Sequence, residues 1–162
     1  MLRRSRLALA TLLLTACPTA GMHRLDVGFT LAAEPVAATP GDTVLLTAAV
    51  TNTADEPVTL EFGGACRLVF YVVDAEGRAV HPRGERSRCA VVGAPAAPPL
   101  RLQPGETWRE TGTWIVRDAA GRPLPEGDYT AYVILEEHYL VRGGRRDLKL
   151  AHRSNEVPLR VR

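Results

Sequence analysis

Apolar residues recur at every second position along most of this chain, which predicts strands rather than helices. Leu25, Val27, Phe29 and Leu31 alternate with polar or small residues and predict a first strand. Pro40-Gly41-Asp42 is a turn, and residues 43–51 form a second strand rich in β-branched side chains. After the polar turn 52–57, Val58, Leu60 and Phe62 share one face of a third strand, which Gly63-Gly64 ends. Residues 68–73 are nearly all apolar, as in a central sandwich strand, and Asp74-Ala75-Glu76-Gly77 turns them back into Ala79-Val80. Further strands are predicted over 100–102, 107–117, 129–135, 147–150 and 157–161. Turn signals separate them: Gln103-Pro104-Gly105-Glu106, the Pro- and Gly-bearing stretch 118–128, and Gly143-Gly144. About seven to nine short strands with close-set turns predict an all-β, antiparallel sandwich with no substantial helix after the N-terminal segment.

That N-terminal segment follows a different pattern. Arg3, Arg4 and Arg6 give a basic start, residues 7–14 are apolar or small, and small residues precede Cys17. This is the order of a secretory signal. The apolar run is too short to span a hydrocarbon core about 30 Å thick. Leu14-Thr15-Ala16-Cys17 resembles the lipobox of bacterial lipoproteins. The resemblance implies cleavage before Cys17, a thioether-linked diacylglycerol on its sulfur and acylation of the new N-terminus. The alternatives are an ordinary signal with a chance cysteine, or a short membrane anchor. The expected organisation is a lipoprotein signal peptide over 1–16, a lipidated tether over 17–24 and one β-sandwich domain over 25–162. The expected location is outside the cytoplasm, on a membrane. Pro18, standing where an inner-membrane retention aspartate would sit, favours the outer membrane in a cell with two.

Charge changes little. The signal segment takes three of the 20 basic residues and none of the 18 acidic ones, so the remainder is close to neutral. No basic run carries interleaved aromatics, so nucleic acid is not an expected partner. Cysteine counting is more informative. With Cys17 lipidated, Cys66 and Cys89 remain as an even pair, expected to be oxidised outside the cytoplasm. Closing that loop would stabilise the fold by about 3 kcal/mol in the chain-entropy view. Four histidines (His23, His81, His138, His152) show no metal-ligand spacing, so no metal or other cofactor is expected.

The ordered turns and strands resemble a known family. Val50-Thr51-Asn52-Thr53 followed by Pro57-Val58-Thr59-Leu60-Glu61-Phe62 is similar to the opening of the intracellular proteinase inhibitor (BsuPI) domain. Val69-Phe70-Tyr71-Val72-Val73-Asp74 with Gly77, then Leu102-Gln103-Pro104-Gly105-Glu106, then Trp114 and Pro125-x-Gly127-x-Tyr129, follow in that family's order. The resemblance spans roughly 25–161. It implies an immunoglobulin-like sandwich and inhibition of a protease. An export signal and a cysteine pair are departures from an intracellular inhibitor.

No nucleophile elbow, zinc-protease motif or phosphate-binding glycine loop is present, so no enzyme is expected and no catalytic residue is assigned. Glu136-Glu137-His138 reads as a solvated strand end, with Glu136 and His138 on one face. Trp108 and Trp114 share a face unless Gly112 marks a bulge, and Trp114 is expected in the core. Tyr129 resembles a corner tyrosine whose hydroxyl bonds backbone. The candidate partner-binding loop carries Arg83, Arg86 and Arg88, just before Cys89 and a proline-rich stretch. It is either a solvated connection tied down by the disulfide, or a preorganised loop that mimics a substrate and offers Arg86 or Arg88 to an acidic protease pocket. Arg142, Arg145 and Arg146 form a second basic tip, either an ordinary hairpin end or a contact for anionic headgroups or an acidic partner. The expected partners are the membrane, through the lipid, and a protease or another envelope protein. The rival function is an assembly or scaffolding module that pairs through an exposed sheet edge.

Overall fold

A computed structural model describes residues 26–82, 94–118 and 120–162. Among the described residues the regular structure is entirely β. The strands are β1 (Val27–Glu34), β2 (Ala37–Ala38), β3 (Thr43–Asn52), β4 (Val58–Phe62), β5 (Leu68–Val73), β6 (Ala79–His81) and β7 (Leu100–Leu102). They continue as β8 (Thr107–Ile115), β9 (Gly127–Leu135), β10 (His138–Arg142), β11 (Arg145–Lys149), β12 (His152–Arg153) and β13 (Val157–Val161).

A three-stranded sheet, β1-β3-β8, packs across a six-membered layer, β2-β13-β9-β5-β6 with β12 added on β9. A four-stranded sheet, β11-β10-β4-β7, caps one end. It exists because two long strands change sheets. Asn52 is almost wholly buried and fully used: its amide nitrogen donates to the carbonyls of Glu56 (2.9 Å) and Leu102 (3.1 Å), and its side-chain oxygen accepts from Ala54 N–H (2.9 Å). That turn redirects the chain from β3 into β4. The second change comes at Glu136-Glu137, where the chain leaves β9 for β10. Such breaks, with short pieces like β2 and β12, divide the expected seven to nine strands into thirteen among the described residues. β10 itself was not foreseen, because the charges at 136–138 masked its start. Ladders are antiparallel except β2 with β13, which is parallel because the chain crosses layers after β1.

The core lies between the layers and holds Leu46, Val50, Val72, Trp114, Val133 and Val161, among others. The β3–β8 register is continuous through Gly112, so no bulge intervenes and Trp108 and Trp114 do share the inward face. Gly112 has a different role. A Cβ there would sit 2.8 Å from Cδ2 of Phe70 on the opposing layer, so the bare backbone is what lets the ring seat. Trp114 is 1% exposed, 6.0 Å from the Tyr129 ring between centroids. The Tyr129 hydroxyl donates to the Pro125 carbonyl at 2.9 Å, the backbone bond expected of a corner tyrosine.

Candidate functional site

The second change of sheet opens the end of the sandwich. Past Leu135, half-buried Glu136 and exposed Glu137 lead to His138, which is buried again. Two inward residues three positions apart break the two-residue period, as a strand crossing between sheets requires. β10 then turns through Gly143 and Gly144, both at positive φ (52° and 78°), into β11. Between that hairpin and β1 lies a groove of about 460 Å³. Val27 and Phe29 form one wall, Leu148, Lys149 and Leu150 the other, and Leu135, His138 and Leu140 line it with them. Asp26 and His152 also line it. Leu148 is 50% exposed and Leu150 75%.

His138 divides this groove from a second hollow of about 410 Å³, lined by Gly63, Gly64, Cys66, Glu136, Glu137 and Tyr139 among others. The expected solvated strand end is therefore corrected. The His138 ring is 5% exposed and 5.7 Å from the Phe62 ring between centroids. Its Nδ1–H donates to the Glu136 carbonyl at 2.8 Å, since a carbonyl can only accept. Burial holds its pKa below the ordinary histidine value, with the Lys149 charge adding to the effect and the Glu136 bond opposing it. A neutral imidazole with an acceptor Nε2 results. Among the described residues no three His, Cys, Asp or Glu side chains form a group able to hold a metal.

The second basic tip is largely spent on internal pairs. Arg142 donates to Asp26 (2.7 Å) and meets Glu56 at 3.2 Å. Arg146 pairs with Glu61 (3.0 Å), its guanidinium carbon 3.6 Å from the centroid of the Tyr139 ring. Arg145 and Lys149 are in no salt bridge among the described residues.

Of the site residues foreseen in the sequence, Cys17, Arg83, Arg86, Arg88 and Cys89 lie outside the described residues. Cys66 lies within them, lines the second hollow and is not a free thiol. Both flanks of the arginine segment are fixed. On the way in, His81 pairs with Val72 at the end of β6. On the way back, Ala97 N–H donates to the Gly64 carbonyl at 2.7 Å. The Arg67 guanidinium donates twice to the Pro98 carbonyl (3.1 and 2.8 Å) and lies 5.4 Å from the Trp108 ring. Glu110 stands beside them on the inward parity of edge strand β8, its pKa raised by burial and partly offset by the Arg67 charge.

Sequence reasoning missed Leu148, Leu150, Arg67, Glu110 and Asn155. Leu148-Lys149-Leu150 alternates like any half-buried strand, and only the fold shows that nothing among the described residues covers it. Asn155 has no local signature at all. Its side chain accepts from Leu31 N–H (2.8 Å) and donates to the Leu31 carbonyl (3.1 Å) across 124 positions.

No protein-family model matches the chain, and no curated relative matches it. Solved structures of similar outline exist. A Bordetella pertussis protein bearing the ApaA name is 23% identical at a TM-score of 0.43, covering 82% of this chain and 89% of that one. The C-terminal domain of Wzt is 10% identical at a TM-score of 0.44, covering 86% and 75%. The CARDB domain of the Pyrococcus furiosus protein PF1109, solved with di-metal ions, is 11% identical at a TM-score of 0.41, covering 84% and 92%. At TM-scores below 0.5 none of them bears on what this chain does.

Proposed function

We propose that this chain is a membrane-anchored extracytoplasmic lipoprotein whose sandwich binds a protein partner without transforming it, in the manner of the proteinase-inhibitor family it resembles. Cys17 carries the lipid, and Cys66 pairs with Cys89. The observation that supports a binding loop is the clamp at its base. Ala97 on Gly64, Pro98 on Arg67 and the Arg67–Trp108 stack hold the return side of the arginine segment against the start of β5. A segment anchored at both flanks loses less conformational entropy on binding than a free loop. Arg83, Arg86 and Arg88 are the side chains it offers.

The rival, pairing through a sheet edge, meets two obstacles. On β1 the Asn155 carboxamide occupies both outward backbone groups of Leu31, where an incoming strand would bond. On β8 Glu110 points inward from an edge strand, a known device against edge-to-edge pairing.

The test is a crosslinking capture from membranes with the full chain, alongside inhibition assays on trypsin-like proteases. Triple replacement of Arg83, Arg86 and Arg88 by alanine is expected to weaken capture and inhibition at least tenfold with folding intact. Unchanged capture by the triple variant, or no captured protein and no inhibition by the parent, would overturn the reading.

A further inference from the structure

The end of the sandwich where the chain enters carries the two most exposed leucines of the described residues, Leu148 and Leu150. Asp26, the first described residue, lines the same groove as Leu148 and Leu150 and is held there by Arg142 at 2.7 Å. Cys17 lies nine positions earlier, so an extended tether reaches at most about 32 Å. A lipid on Cys17 would tether the chain to the bilayer from this end of the sandwich.

We propose that the groove end is a second membrane contact, with Leu148 and Leu150 entering the acyl–headgroup boundary and Arg145 and Lys149 meeting anionic headgroups. The proposal rests on the lipoprotein reading for the direction of approach. Three observations carry it. The leucines are exposed side by side with a groove that is mostly apolar. The neighbouring arginines divide by role: Arg142 and Arg146 are committed to Asp26, Glu56 and Glu61, which leaves Arg145 and Lys149 on the same hairpin for external anions. Finally, β11 carries Arg145, Arg146 and Lys149 against the single acid Asp147, while Glu136 and Glu137 line the second hollow. Apolar insertion beside basic residues is the physics of interfacial membrane binding, and one lipid signal usually needs a second.

Towards the opposite end Val36, Leu45 and Ile115 are also exposed, but they line neither the groove nor the hollow beside the entering chain. The hairpin there, 74–77, carries Asp74 and Glu76, both paired with Arg78.

The experiment uses the full chain, purified from membranes and reconstituted into vesicles of phosphatidylethanolamine and phosphatidylglycerol. Leu150→Trp places a fluorophore at the most exposed leucine, and Ala75→Trp serves as the distant control, each corrected for parent emission from Trp108 and Trp114. The added emission at position 150 is expected to shift to the blue and to be quenched by bromine-labelled acyl chains several-fold more than at position 75. Quenching is expected to fall when phosphatidylcholine replaces phosphatidylglycerol. Equal quenching at the two positions overturns the proposal. So does a blue shift without quenching, which marks a second copy of the chain in the groove. Mass spectrometry of the N-terminal peptide from the same sample separates the two readings. An acylated Cys17 with no quenching at position 150 removes the second contact alone. An unmodified Cys17 with quenching removes the lipid alone.

Discussion

The two ends of the sandwich solve the same problem differently. At one end each turn is closed by its own carboxylate or corner residue. Asp42 accepts from Thr39 N–H and Oγ (both 2.8 Å), and Asp118 from the backbone of Ala120 (2.8 Å) and Arg122 (2.9 Å) and from the Arg122 guanidinium (2.7 Å). Asp74 does the same with Glu76 (3.1 Å) and Arg78 (2.8 Å), and Tyr129 ties down Pro125. Residues local in sequence satisfy one another there. At the other end the strands change sheets, and long-range pairs join the local ones: Asn52 bonds Glu56 nearby and Leu102 fifty positions on, and Asp26 meets Arg142. Leu148 and Leu150 line an open groove there.

The comparison breaks most easily at its core. Trp114→Ala is expected to cost about 3–5 kcal/mol, measured by urea unfolding, because it empties the largest fully buried position beneath the closed end. A loss under about 1 kcal/mol would mean the tryptophan does not carry that end. At the open end, Asn52→Ala should cost about 1–3 kcal/mol, since it strands buried carbonyls of Glu56 and Leu102. A neutral result would show that the turn into β4 holds itself. Tyr129→Phe removes a single hydroxyl bond and should cost about 1 kcal/mol in the same assay.

Acid sharpens the contrast further. His138 is kept neutral by burial, while an unfolded chain protonates it below about pH 6.5. The unfolded state then binds more protons, so stability is full above that pH and declines as pH falls from it. The closed end responds lower. Asp42 is held below the ordinary aspartate pKa by its bonds from Thr39, and Asp118 chiefly by the Arg122 backbone. At Asp74 burial pushes upward, but the Arg78 bonds outweigh it. Their contribution is present above about pH 4 and is lost as pH falls further. His138→Leu should therefore flatten the profile just below about pH 6.5 and leave the limb below about pH 4 in place. A profile unchanged in the upper window would place the histidine in water. The smallest effect belongs to the leucines: Leu148→Ser with Leu150→Ser should change stability by no more than about 0.5 kcal/mol, because both are already half or more exposed. A larger loss would mean that they belong to the core.

Much of this was legible beforehand, for reasons that individual residues show. Trp114 and Tyr129 were assigned correctly because each stands in a motif of the family the chain resembles, a tryptophan strand and a Gly-x-Tyr turn. Asp74 and Gly77 announced a hairpin. Gly112 stayed open between a flat strand and a bulge, since what fixes it is a phenylalanine 42 positions away on the other layer. His138 was misjudged because two glutamates before it look like surface, and only the crossing between sheets turns the ring inward. Asn155 was invisible, its partner Leu31 being 124 positions away.

By itself the sequence determined most of the strands and the turns between them, because alternation and Gly and Pro conformations act over a few residues. The tertiary structure decided which strands change sheets, which edges are blocked and where leucines remain uncovered. Those outcomes depend on contacts between positions far apart, and no local pattern encodes which distant side chain will arrive.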